Sequence, residues 1–141
     1  VPIFIHGRTA FAEGVGEHFT DVKLPAAWYL VLVPPVAVAT GVIFQHPELK
    51  RGSEKIKIQG FSELAGNDLE PLVCKLYPEV AGHLAWLKSV GKAQMTGSGA
   101  CVFAAFADRP AAERALVACP PAMRGFVARG LDVHPLHGLV D

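Results

Sequence analysis

The stretch Thr96-Gly97-Ser98-Gly99-Ala100-Cys101-Val102-Phe103-Ala104-Ala105-Phe106 constrains the fold more than any other, because a loop of small residues runs straight into an apolar, β-prone segment. It reads as a turn feeding a buried strand. Lys92, Ala93, Gln94 and Met95 ahead of it are short and mixed, so a hairpin is expected whose glycines reach positive φ without steric penalty. Two readings of the loop stay open at this point. It is an ordinary tight turn, or a cradle in which several backbone N–H groups point at one anion, a phosphate for instance.

A second constraint lies upstream, where residues 24–44 carry no charge over 21 positions. That length spans a bilayer, but Pro34 and Pro35 sit mid-segment and each costs roughly 3 kcal/mol or more inside a helix. Residues 28–33 are therefore expected as a buried strand, 34–39 as a turn and extended segment, and Thr40 as the cap of a short helix bearing Val42, Ile43 and Phe44. Residues 17–22, bounded by Gly16 and Pro25, read as a strand that pairs with 28–33 as a hairpin. Gly14-Val15-Gly16 has turn geometry, since Glu13 and Glu17 beside it would repel a phosphate, and Val15 is a candidate for lining a pocket wall.

Farther on, the polar stretch 50–57 reads as a mobile surface loop. Asn67 is expected to cap a helix through about Leu76. Pro78 suits the first turn of another through Ser89, with Val80, Leu84 and Leu87 on one face. Asp108 caps a third helix with Ala112, Ala115, Leu116 and Cys119 on its inner side, ended by Pro120 and Pro121. Residues 126–134 make a last strand broken at Gly130. The layout is α+β: about four antiparallel strands with helices on one face.

Composition adds exclusions. With 141 residues, 51% of them apolar, one domain with a real core is expected. Thirteen basic and thirteen acidic side chains cancel, which argues against nucleic acid or a membrane surface as a partner. Cys74, Cys101 and Cys119 are an odd set in apolar surroundings and read as reduced, buried thiols of a cytoplasmic protein. His134 and His137 stand at ligand-pair spacing, but no carboxylate or cysteine accompanies them, so no metal site is assigned. Val1-Pro2 resembles neither a translation start nor a signal peptide, and a trimmed fragment is expected.

The glycine stretch at 96–103 resembles the last of three signature motifs of the GHMP kinases. Pro2-Ile3-Phe4-Ile5 with Gly7, residues 10–17, Trp28-Tyr29-Leu30-Val31, Thr40-Gly41-Val42-Ile43-Phe44, Asn67-Asp68-Leu69-Glu70 and Pro135-Leu136-His137 resemble, in order, segments of those members that act on a cytidine-diphosphate-linked substrate in the non-mevalonate route to isoprenoid precursors. The likeness covers the whole chain but only the carboxyl-terminal half of such an enzyme.

Several expectations follow from this resemblance. The fold would be the ferredoxin-like second domain of an ATP-dependent small-molecule kinase. The chain's own amino-terminal domain would be its partner and would enclose ATP and magnesium. No catalytic residue lies in the chain, because the family aspartate matches the position just before Val1, so the isolated chain is expected to be inactive. Thr40, Phe44 and Val15 would contact substrate, with Phe44 stacked on the cytosine, although on periodicity alone Phe44 reads as a core residue. Thr96, Gly97, Ser98, Gly99 and Ala100 would form the phosphate-proximal loop. Gly41 departs from the proline that many members have after the threonine. The alternatives are another small-molecule GHMP kinase, or a ferredoxin-like domain that senses a ligand without catalysis.

Overall fold

The computed structural model describes residues 5–52 and 66–136. The elements are β1 (Ala10–Glu13), β2 (His18–Asp21), β3 (Trp28–Leu32), α1 (Thr40–Gln45), α2 (Glu70–Leu76), α3 (Pro78–Val90), β4 (Ala93–Met95), β5 (Val102–Phe106), α4 (Arg109–Val117) and β6 (Gly125–Arg129). The chain divides into two compact units, one of Val1–Ala26 with Arg129–Asp141, the other Ala27–Ala128.

The second unit is built on a four-stranded sheet in the order β4-β5-β3-β6. A strand, helices, a strand pair, a helix and a last strand in that spatial order make the ferredoxin-like arrangement. β5 runs antiparallel to β3 and to β4, with Val102 opposite both Leu32 and Met95. Alternation along the strands decides which face is covered: Leu30, Leu32, Val102 and Ala104 are fully buried, whereas Tyr29, Val31 and Phe103 between them are half-buried. Onto the buried face α3 brings Val80, Leu84 and Leu87, and α2 brings Val73. Each such aliphatic side chain contributes roughly 1.5–3 kcal/mol by leaving water. Leu87→Ala would cost about 2–5 kcal/mol.

The local expectations hold where the side chain and its target are neighbours in sequence. Asp108 caps α4, its Oδ1 accepting the Ala111 N–H at 2.7 Å, and α4 ends ahead of Pro120. Proline occupies the first turn of α3. Residues 24–44 form β3, its exit and α1, and among the described residues no helix is long and apolar enough to cross a membrane. Of the stretch 50–57, residues 50–52 are exposed, and 53–57 lie outside the described residues.

Three expectations are corrected. Residues 18–21 pair with β1, not with β3, in the register Ala10 to Asp21 and Glu13 to His18. The reason is that β3 has no open edge, being flanked by β5 and β6. The last strand stops at Arg129, and Val133 instead makes an isolated antiparallel bridge to Arg8 in the first unit. There the Thr9 N–H donates to Asp132 O at 2.9 Å and the His134 N–H to Gly7 O at 2.8 Å. Finally, Thr40 does not cap its helix but is the first residue of α1, behind Ala39, and α2 starts behind Leu69, with Asn67 serving the helix entry from two residues farther out, its Oδ1 accepting the Leu69 N–H.

Candidate functional site

The hairpin between β4 and β5 turns through residues 96–101. Thr96 N–H donates to Cys101 O at 3.0 Å and Gly99 N–H to Thr96 O at 3.0 Å, which closes the turn on itself. Gly97 at φ +55 and Gly99 at φ +89 both lie in the left-handed region. A methyl on Gly97 would meet nothing within 4 Å, whereas one on Gly99 would sit 3.0 Å from Met95 Sδ and 3.3 Å from Val38 Cγ2. Gly99 is thus required by packing as well as by φ. Among the described residues the N–H groups of Gly97, Ser98 and Ala100 have no hydrogen-bond partner. A short run of unpartnered N–H groups on a part-exposed loop is chemistry suited to an anion.

Thr40 and Asn67 both reach this loop. Thr40 Oγ1 and Ser98 Oγ are 2.8 Å apart, a bond that joins positions 58 apart in sequence. Asn67 Nδ2 donates to Met95 O at 2.9 Å and to Gly97 O at 2.7 Å, while its Oδ1 accepts the Leu69 N–H at 3.0 Å. Glu70 Oε2 accepts the Met95 N–H at 2.9 Å, and its Oε1 accepts from Lys88 Nζ at 2.8 Å. Sequence reading missed Asn67 and Glu70 as loop contacts. Their spacing at a helix start signals local capping, and nothing in it points to residue 95.

α1 itself presents one core residue, Ile43, and two outward ones. Phe44 is 54% exposed, which decides against a core role for it. The Phe44 carbonyl accepts from Arg51 Nη2 at 2.7 Å. Val15 stands elsewhere, at the tip of the β1–β2 turn in the first unit, with its side chain 98% exposed. The Val15 N–H donates to Glu17 Oε2 at 2.6 Å. The fold therefore brings Thr40, carried next to Phe44 on α1, onto the glycine loop, and leaves Val15 on a separate unit.

Other titratable groups add little chemistry. Cys74, Cys101 and Cys119 are free and half-buried rather than buried; burial pushes the Cys74 and Cys119 thiols up, and the Glu70 carboxylate adds to the rise at Cys74. Such thiols make poor nucleophiles. The Lys75 ammonium, hydrogen-bonded to Glu48, holds that carboxyl below its ordinary range. His134 Nδ1 accepts the Leu136 N–H at 3.2 Å, and His137 lies outside the described residues. Among the described residues no group of three or more His, Cys, Asp or Glu is placed to hold a metal ion.

Comparison with known proteins gives one consistent answer. A 4-diphosphocytidyl-2-C-methyl-D-erythritol kinase of Thiobacillus denitrificans is 57% identical over 141 residues, covering 99% of this chain and 51% of that protein. The kinase of the same name from Nitrosospira multiformis is 53% identical over 145 residues, covering 100% of this chain and 49% of that protein. A crystal structure of 4-(cytidine 5'-diphospho)-2C-methyl-D-erythritol kinase superposes with a TM-score of 0.76 at 26% identity, over 91% of this chain and 52% of that one. The chain spans about half the length of the curated relatives it matches. The family described as GHMP kinases C terminal matches residues 46–123, which takes in α2, α3, the glycine hairpin and α4, and the chain belongs to that family.

Proposed function

We propose that the chain is the carboxyl-terminal domain of a kinase that moves the γ-phosphoryl group of ATP to the 2-hydroxyl of 4-diphosphocytidyl-2-C-methyl-D-erythritol. One observation carries the reading: the bond between Thr40 and Ser98 unites, across 58 positions, the helix bearing an exposed aromatic ring with the glycine loop bearing unpartnered N–H groups. A cytidine diphosphate needs both, a flat apolar surface for its base and donors for its phosphates. In this reading Phe44 stacks on the cytosine, Thr40 holds the helix to the loop, and residues 96–100 lie against a phosphate. By the family resemblance alone, Val15 is a further substrate contact.

Phosphoryl transfer also needs charge neutralisation and a base near the acceptor hydroxyl. The loop donors fit the phosphates of ATP or substrate. The family resemblance puts ATP and magnesium with the amino-terminal domain, and no step is assigned to magnesium here. The base is sought in the longer protein, where the family resemblance puts an aspartate immediately ahead of Val1.

The test uses the full-length protein with ATP and the cytidine substrate. Phe44→Ala should raise KM for the cytidine substrate by an amount worth roughly 1–3 kcal/mol while leaving KM for ATP nearly unchanged. Because the ring is exposed, folding should be little affected. Equal damage to both constants, or to neither, would remove the stacking role, and a wild-type protein that does not phosphorylate the substrate would remove the whole assignment.

A further inference from the structure

β4 is the edge strand of its sheet. Met95 pairs with Val102 and the following Thr96 N–H turns inward to Cys101 O, so the N–H and C=O of Met95 face the open edge. Both are taken by side chains from the start of α2, the N–H by Glu70 and the carbonyl by Asn67. Glu70 is itself held, its side chain only 17% exposed and its second oxygen bonded to Lys88 of α3.

The same Asn67 amide reaches past the strand to Gly97 O at 2.7 Å. A primary amide has two N–H donors, and here they serve two carbonyls while the oxygen accepts from Leu69, which fixes the orientation of the group. The Gly97 carbonyl and the Ser98 N–H belong to one planar peptide and point in opposite directions. Pinning the carbonyl therefore turns the Ser98 N–H to the other side. In a loop with glycine at both 97 and 99, little else in the backbone resists a flip of that peptide.

Resting on the kinase reading above, we propose that Asn67 is a positioning residue for phosphoryl transfer: by pinning Gly97 O it aims the Ser98 N–H at a ligand phosphate, with Glu70 anchoring the strand end from which the loop departs. A purely structural role, covering an exposed sheet edge, would use the same contacts. The two differ in what happens to folded enzyme.

Asn67→Asp in the full-length protein separates them. The aspartate keeps an acceptor for the Leu69 N–H and a negative charge suits a helix start, but both donors are lost and an oxygen faces two carbonyls. Amide hydrogen exchange at Thr96 and Gly99 should quicken by about tenfold or more. Turnover should fall on the order of tenfold or more, with KM for the cytidine substrate within about threefold. Wild-type exchange rates in the variant would overturn the clamp. Faster exchange with wild-type turnover would overturn the positioning role and leave only the edge cover. Should the aspartate variant not fold, Asn67→Ser, which is too short to reach Gly97, is judged by the same two readouts. Inactive wild-type protein would instead overturn the kinase reading, and the positioning role with it.

Discussion

The chain contains two turns of the pattern Gly-x-Gly, at 14–16 and at 97–99, and all four glycines have positive φ. They differ in where their polar backbone goes. At the first turn the Val15 N–H is spent on the Glu17 carboxylate and the Gly16 N–H on Glu13 O, so the turn carries its own anion. At the second, carbonyls are tied down by Asn67 and the hydroxyl of Ser98 by Thr40, and the N–H groups of Gly97, Ser98 and Ala100 are left over. Glycines open a turn, but the neighbours decide whether it can receive a ligand. The first turn offers a ligand little beyond the Val15 side chain, whereas the second offers backbone donors.

The largest effect is expected at Gly99. An added methyl meets Met95 and Val38 and holds positive φ, so strain of about 1–2 kcal/mol adds to overpacking of about 1–3 kcal/mol. Gly99→Ala should lose roughly 2–5 kcal/mol in urea unfolding, whatever it does to turnover. A stability loss below about 0.5 kcal/mol would mean that the loop relaxes freely and is not built as described.

Gly97→Ala is the sharper probe of the backbone role, because nothing stands within 4 Å of the new methyl. The cost in stability should be about 1 kcal/mol, from φ alone. If ligand approaches this backbone, turnover of folded enzyme should fall about tenfold, a barrier rise of about 1.4 kcal/mol. Full activity in a mildly destabilised protein would make the two turns equivalent.

Val15→Ala should give the smallest change. Its side chain is almost wholly exposed, so unfolding should shift by less than about 0.5 kcal/mol. If Val15 contacts substrate, the change should raise KM for the cytidine substrate about fivefold, near 1 kcal/mol of lost apolar contact. An unchanged KM would confine the first turn to hairpin geometry.

What could be read from sequence follows the range of each interaction. Asp108 and the proline at the head of α3 act within one helical turn, and both are legible. So is the glycine hairpin, whose strands are adjacent in the chain. Thr40 and Asn67 have the right chemistry for capping, and Asn67 Oδ1 does take the Leu69 N–H, but the partners of Thr40 Oγ1 and Asn67 Nδ2 lie 58 and 28 to 30 positions away, beyond the reach of local pattern. Phe44 is ambiguous by periodicity because α1 is only six residues long, too short for a stripe to establish itself. The pairing of β2 is not legible from local pattern, because pairing depends on which strand edges remain open, and β3 loses both edges to strands far along the chain.

The joint between residues 7–9 and 132–134 has a consequence for the order in which the molecule is made. Thr9 and Asp132 are 123 positions apart, so bringing them together in an unfolded chain costs on the order of 4 kcal/mol of closure entropy. That cost shrinks once the intervening Ala27–Ala128 unit has folded and shortened the free path. The joint is therefore a late event in folding and an early one in unfolding. Cutting the chain after Arg129 would remove one side of it and leave β1 and β2 as a two-stranded hairpin, which is marginal in water by itself. Residues 132–134, remote in sequence from that hairpin, are part of what keeps it formed.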